Sequence, residues 1–161
     1  MSRENIHATG LVLDGQGIIL RGASGGGKSL LALELMDEWE ARGRDAKLIS
    51  DDRIDIENTG GKLVMHAPKA IEGLIELRGR GIVQRPFVAS APLDLVVDMV
   101  DTLERMIEED ELTTTLLGVT VARAPIPKAG VINSRHQEIL IREALRALRP
   151  PTGPAPRKKS A

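Results

Sequence analysis

The segment Gly22-Ala23-Ser24-Gly25-Gly26-Gly27-Lys28-Ser29 restricts the fold of this 161-residue chain more than any other feature. It satisfies G-x-x-x-x-G-K-[ST] at every required position. An apolar strand candidate, residues 17–20, comes immediately before it. A helical run follows, with Leu31, Leu35 and Trp39 at i, i+4 and i+8 and Glu34, Asp37, Glu38 and Glu40 largely on the other side. Glycines let the backbone curl until successive N–H groups point inward at phosphate oxygens. The helix start adds its partial positive charge. Gly22, Ala23, Ser24, Gly25, Gly26, Gly27, Lys28 and Ser29 are thus read as the cradle for the phosphates of a nucleotide. Lys28 reaches the β- and γ-phosphates, and the Ser29 hydroxyl is a ligand for Mg²⁺.

The remaining pattern predicts a mixed α/β domain. Two apolar runs in residues 10–21 flank Asp14-Gly15-Gln16-Gly17, a hairpin signature. Arg42-Gly43 ends the first helix. Strands are expected at Ala46–Ser50, at 54–56, and at Lys62–His66 after the Thr59-Gly60-Gly61 turn. Residues 68–74 read as a short helix, 93–100 as a buried strand, and the acidic stretch 101–111 as an exposed connection. Residues 119–122 read as a strand. Ser134 and Gln137 form a capping box for a last helix with Ile141, Ala144, Leu145 and Leu148 on one stripe. The domain is expected to occupy residues 1–149, and the proline-rich stretch 150–161 to be a disordered basic tail.

Composition excludes several functions. Trp39 and Phe87 are the only aromatics, too few for a platform on which nucleic-acid bases stack. With no cysteine there are no disulfides, thiolate metal sites or cysteine nucleophiles. Outside the last thirteen residues the chain holds 18 bases against 23 acids, which is no footprint for a nucleic acid. No apolar run approaches the ~20 residues of a membrane span, and the N-terminus lacks a signal-peptide core. The expectation is a soluble cytoplasmic protein.

Three further groups bear on chemistry. Asp51-Asp52 follows a strand about twenty residues after Lys28, where metal-side carboxylates occur in such folds. In an extended chain the two point in different directions, so one can face a metal and the other a substrate hydroxyl. A polar turn gives the same pair. Glu76-Leu77-Arg78-Gly79-Arg80-Gly81-Ile82 places two glycines and two arginines inside an apolar run, as in a loop closely approached by a ligand or another chain, or in an exposed turn. His7 precedes the hairpin and reads by itself as a surface residue; His66 and His136 have no partner nameable from sequence.

Taken in order, His7, GASGGGKS, Ser50-Asp51-Asp52-Arg53-Ile54-Asp55-Ile56 and Glu76-Leu77-Arg78-Gly79-Arg80-Gly81-Ile82 resemble the catalytic domain of HPr kinase/phosphorylase. That family shows a histidine before a hairpin, then G-D-S-G-x-G-K-S, A-D-D-R-V-D-I and E-I-R-G-L-G-I. The likeness covers about residues 5–130 and is similar to the short alphaproteobacterial forms. It implies a P-loop α/β domain like that of phosphoenolpyruvate carboxykinase, with a mixed sheet flanked by helices and assembled as a hexamer. The implied activity is transfer of phosphate from ATP to a serine of the phosphocarrier HPr, reversible by phosphorolysis, in control of a phosphotransferase system. The implied catalytic residues are His7, Lys28 and Asp51, with Asp51 as base; Ser29 and Glu76 would hold Mg²⁺, and Asp52 would stand behind the metal. The 75–84 loop would serve both reactions.

The chain departs from the family pattern at Ala23, where aspartate is usual, and at Arg80, where an apolar residue is usual. Of I-P-V-x-P-G-R-N it keeps Ile126-Pro127 and Gly130. Arg123 is a candidate by proximity for the arginine expected shortly before that element. Two other functions use the same phosphate loop: a small-metabolite kinase or ATPase, and a nucleotide-binding regulator without turnover. Neither an N-K-x-D base-reading element nor an arginine-rich lid is visible.

Overall fold

The computed structural model describes residues 2–23, 25 and 27–148. Ser24, Gly26 and the expected tail at 150–161 lie outside the described residues. Two strands, β1 (Arg3–Ile6) and β2 (Ala8–Leu13), precede β3 (Gln16–Arg21), and the helix α1 (Lys28–Ala41) follows the Gly-rich loop. Next come β4 (Ala46–Ser50), β5 (Ile54–Thr59), β6 (Lys62–His66), β7 (Leu74–Leu77) and β8 (Gly81–Gln84). The chain closes with β9 (Ser90–Pro92), β10 (Leu95–Val100), β11 (Thr113–Leu116), β12 (Val119–Pro127) and α2 (Ser134–Leu148).

These elements stack in three layers. A six-stranded sheet of order β11-β12-β10-β3-β2-β4 lies in the middle, with β3, β10 and β12 parallel and the others antiparallel to their neighbours. Period-two alternation in its strands feeds two cores. Ile18, Leu20, Leu95 and Val97 face α1 and α2, where they meet Leu31, Leu35, Trp39, Ile141 and Leu145. Ile19 and Val96 face the opposite way, onto Ile54, Ile56 and Met65 of a second sheet of order β1-β5-β6-β9. Because both faces are covered, β3 and β10 read as nearly continuous apolar runs.

The first helix and the β2–β3 hairpin form as expected, and Gly43, at φ +71, ends α1 with its N–H on the carbonyl of Glu40. Trp39 is buried beneath the Arg142 guanidinium, which lies 5.3 Å from the ring centroid. The expected helix at 68–74 shrinks to a single 3-10 turn, Lys69–Ile71. Gly73 follows at φ +74, where a Cβ would meet the Phe87 ring at 2.8 Å. The strand expected at 119–122 continues to Pro127 through two prolines. Beyond Ala122 it has β10 on one side and, among the described residues, no strand on the other, so the missing N–H groups break no ladder there. The capping box is displaced by one residue. Asn133, not Ser134, caps α2, its Oδ1 accepting the His136 N–H at 2.9 Å. Gln137 is buried and donates to the Pro127 carbonyl instead, at 2.9 Å. The strands β1, β9 and β11 were not expected; they are three or four residues long and largely exposed.

Gly17 locks the two sheets together. Its N–H donates to Asp94 Oδ2 at 2.8 Å, its carbonyl accepts the Asp94 N–H at 2.8 Å, and a Cβ built on it would stand 1.8 Å from the Pro92 carbonyl oxygen. A methyl group there must push β9 away. Gly17→Ala is expected to cost about 2–3 kcal/mol of unfolding free energy in urea titration. A loss below about 0.5 kcal/mol would show that β9 yields freely.

Candidate functional site

The Gly-rich loop leaves β3 at the end of the parallel strands and delivers the chain into α1. Gly22 lies against β10, where a Cβ would come within 2.9 Å of Met99 Cβ, and Gly25 and Gly27 have φ of +77 and +88. Gly27 is the N-cap residue of α1. No side chain caps that end and its first turn carries no acid. The first N–H groups of α1 therefore have no side-chain cap among the described residues. Lys28 is 5% exposed, and its Nζ donates to the carbonyls of Gly22 and Ala23 at 3.0 and 3.1 Å. A cavity of about 320 Å³ opens in front of this loop, lined by the loop, Lys28, Ser29, Asp51, Asp52, Glu76 and Arg78.

Asp51 binds three elements together. Its Oδ1 accepts the hydroxyls of Ser29 in α1, at 2.6 Å, and of Thr9 in β2, at 3.0 Å; its Oδ2 accepts the Glu76 N–H of β7 at 3.0 Å. The turn after β4 then changes the direction of the chain. Arg53 N–H donates to the Asp51 carbonyl at 2.8 Å, Ser50 Oγ donates to the Arg53 carbonyl at 2.5 Å, and Asp52 adopts φ +68. Aspartate tolerates this left-handed conformation better than most residues. Asp52 therefore points away from Asp51, and its Oδ1 lies against His7 Nε2. Both members of that pair are largely open to solvent.

The geometry gives the two carboxylates of the acidic pair different surroundings. Asp51, expected to face an acceptor hydroxyl, has both oxygens engaged by three donors and adjoins Ser29. Asp52, expected behind the metal, is the freer carboxylate and has the histidine beside it. Ser29 and Glu76, the expected magnesium ligands, both border Asp51 in the cavity. Among the described residues no three His, Asp or Glu side chains form a metal cage. Oxygen donors this few suit magnesium, which takes one or two protein ligands and completes its shell with phosphate and water. Thr9 is the site residue that sequence reasoning passed over. The available signal was a hydroxyl inside a wholly buried strand, ATGLVL, where it must find a polar partner.

Arg123, the candidate arginine near the C-terminal element, does not reach this cavity's lining. Its Nε donates to Asp98 Oδ2 at 2.6 Å and its Nη1 to the Glu111 carbonyl at 2.9 Å, while Arg21 holds the same carboxylate through two bonds at 2.7 and 2.9 Å. Burial raises the proton affinity of Asp98, but the hydrogen bonds and charges of Arg21 and Arg123 outweigh it and hold the carboxyl below its ordinary value of 3.8. A lowered folded-state pKa stabilises the protein above the ordinary carboxylate range, and that contribution is lost as pH falls through the folded value. Asp98→Asn is expected to be about 2 kcal/mol or more less stable than wild type at neutral pH. In urea titrations the gap should narrow as pH drops from about 5 towards 2; a gap constant with pH would contradict the assignment.

Comparison with known proteins places the chain. The model of the HPr serine kinase C-terminal domain matches residues 1–150, and the chain belongs to that family. It is 33% identical over 131 residues to an HPr kinase/phosphorylase of Clostridium tetani, covering 73% of this chain and 41% of the relative. With the HPr kinase/phosphorylase of Brevibacillus brevis it shares 33% over 148 residues, covering 86% of this chain and 46% of the relative. The chain thus spans less than half the length of these relatives. The structure of the HPr(Ser) kinase/phosphatase from Coxiella burnetii superposes with a TM-score of 0.71 at 28% identity, covering 89% of this chain and 97% of that one. Its fold is accordingly the mixed α/β fold of HPr kinase C-terminal domains. No helix among the described residues is long and apolar enough to cross a membrane.

Proposed function

We propose that this chain transfers the γ-phosphoryl group of ATP to a serine hydroxyl of an HPr-type phosphocarrier, acting in the cytoplasm as a homo-oligomer, a hexamer by family likeness. The observation that carries the reading is the convergence on one cavity of the Gly-rich loop, the Asp51–Ser29 pair with Glu76, and the Asp52–His7 pair. Family membership supports HPr as the acceptor. The loop is read as a P-loop within a phosphoenolpyruvate-carboxykinase-like domain.

In this reading the loop N–H groups bind the phosphates, and Lys28 exchanges the carbonyls of Gly22 and Ala23 for phosphate oxygens. Ser29 and Glu76 would hold magnesium, which would supply positive charge to the phosphates. Asp51 keeps the Ser29 hydroxyl oriented. The acceptor serine Oγ loses its proton to Asp52 as the Oγ–P bond forms. The bond from phosphorus to the β–γ bridging oxygen breaks, and its electron pair leaves on ADP. His7 fixes the Asp52 carboxylate. In phosphorolysis the same groups run in reverse: Asp52 returns the proton to the serine oxygen, and inorganic phosphate takes the phosphoryl group to give pyrophosphate.

Incubation with labelled ATP and Mg²⁺, with and without purified HPr, tests the proposal. Labelled phosphoserine on the carrier is expected. Hydrolysis indifferent to the carrier would indicate an ATPase or metabolite kinase, and nucleotide binding without turnover a regulatory module. Lys28→Met should abolish transfer with an unchanged melting curve. Asp52→Asn should depress transfer by about 100-fold or more with nucleotide affinity within a few-fold. Asp51→Asn, which leaves Ser29 and the Glu76 N–H without their acceptor, should instead weaken Mg-ATP binding. The opposite pattern in the two mutants would restore Asp51 as the base.

A further inference from the structure

We infer that Thr9 is a positioning residue for the transfer: its hydroxyl holds the Asp52 backbone in the strained turn from which the Asp52 carboxylate reaches the acceptor serine. The inference rests on the phosphoryl-transfer reading above and adds to it the residue that separates the roles of two adjacent carboxylates.

A hydroxyl is out of place where Thr9 stands. Side chains of β2 alternate between the two cores, with Ala8 and Val12 facing the second sheet and Leu11 and Leu13 facing the helices. Thr9 shares the helix-side stripe with the two leucines and is fully buried. An apolar residue would fill that position as core. A buried hydroxyl needs partners, and Thr9 has two. Its Oγ1 donates to Asp51 Oδ1 at 3.0 Å and accepts the Asp52 N–H at 3.2 Å. One side chain thus touches both members of the acidic pair, the first through its carboxylate and the second through its backbone.

The strand is built to keep this hydroxyl in place. The β2–β4 ladder shifts at this point: Gly10 opposes Ser50 and Leu11 opposes Leu48, which leaves Ile49 as the extra residue of a bulge. The shift brings Asp51 level with Thr9. Gly10 presses on the second sheet, where a Cβ would meet Ile54 Cδ1 at 2.4 Å. The β-branch of Thr9 restricts its rotamer as well.

The turn needs that support. Arg53 N–H donates to the Asp51 carbonyl at 2.8 Å across Asp52 at φ +68, the strained hand of a γ-turn. Such a conformation persists where the surroundings over-determine it. The Arg53 bond, and the Ser50 hydroxyl bond to the Arg53 carbonyl, both lie within residues 50–53. Thr9 is the acceptor of the Asp52 N–H among the described residues, and it comes from another strand. His7 adjoins the Asp52 carboxylate, but that pair is largely open to solvent and cannot fix the backbone. Removing the Thr9 oxygen leaves Asp51 with two donors, the Ser29 hydroxyl and the Glu76 N–H, and leaves the Asp52 N–H with no acceptor. The cost therefore falls on the aim of Asp52 and not on the side of the cavity assigned to magnesium. Thr9 forms and breaks no covalent bond, so the proton and electron accounting of the transfer is unchanged.

The test combines catalysis with two readouts that need no carrier. Transfer to HPr is measured as kcat and KM, Mg-ADP affinity by calorimetry, and exchange of the Asp52 amide hydrogen by NMR in the nucleotide-free full chain. Thr9→Val keeps the branched shape without the oxygen. It is expected to lower kcat by about 10-fold, with KM for HPr and Mg-ADP affinity within about 3-fold of wild type. Exchange at Asp52 should quicken by about 10-fold. Thr9→Ser, which keeps the oxygen, should recover most of the rate and of the protection. Added to Asp52→Asn, Thr9→Val should cost little more, since the group it aims no longer accepts a proton. If Thr9→Val melts too low for assay, Thr9→Ala carries the same comparison with Thr9→Ser. Unchanged kcat in Thr9→Val overturns the inference, and so does unchanged exchange at Asp52. So does an equal loss of transfer and Mg-ADP binding that Thr9→Ser fails to relieve, which makes Thr9 a core residue alone. A wild-type chain that leaves HPr unlabelled but phosphorylates another hydroxyl with the same dependence on Thr9 supports the inference and overturns the HPr reading. One that transfers to no acceptor overturns both.

Discussion

One carboxylate organises the site. Asp51 collects the hydroxyl of Thr9 from β2, the hydroxyl of Ser29 from α1 and the backbone N–H of Glu76 from β7. Each donor belongs to a different element. An ionised acceptor with several donors is among the stronger arrangements available inside a protein. Its geometry sets where the helix begins relative to the sheet and where the Arg-Gly hairpin stands relative to both. Thr9 extends the arrangement by accepting the Asp52 N–H at 3.2 Å, so the same cluster also holds the turn that aims Asp52 outward.

The scaffold beneath that cluster answers a separate demand, that a parallel strand pair be covered on both faces. Two helices cover one face and a second antiparallel sheet the other. The Asp98 carboxylate is the polar counterpart of this arrangement. It joins Arg21 of β3 to Arg123 of β12 across the intervening β10, and so ties the strand that leads into the Gly-rich loop to its neighbours. Arg123 is thereby engaged in architecture, a contact with Asp98 that proximity in sequence does not reveal.

Much of this was legible in the sequence, and the reasons for the failures are physical. The loop, α1 and the two central strands are marked by glycine spacing and strong periodicity, both local signals. The Asp51-Asp52 pair was legible as a candidate, but the direction of each carboxylate was not. That direction depends on Asp52 adopting a left-handed conformation, and on a hydrogen bond to Ser29 across 22 residues of sequence. An extended chain sends the two side chains in different directions but does not say which of them meets α1. The strands β1, β9 and β11 were missed because short exposed strands owe their existence to a neighbour's free edge and not to their own pattern. The cap of α2 slipped because Ser134 and Asn133 are both good caps, and long-range bonds, Gln137 to Pro127 and the Ser134 hydroxyl to Glu34, accompany the choice of Asn133.

Trp39 carries one further consequence. The chain has no tyrosine and a single indole, so its intrinsic ultraviolet emission originates at one point in the molecule. That point lies three helical turns from the start of α1, packed in the core with a cation over the ring. Emission colour and intensity then register the local polarity between α1 and α2 and little else. Any shift of the first helix along its axis, as the loop at its head changes its contacts, reaches this fluorophore through an unbroken rod of hydrogen-bonded turns.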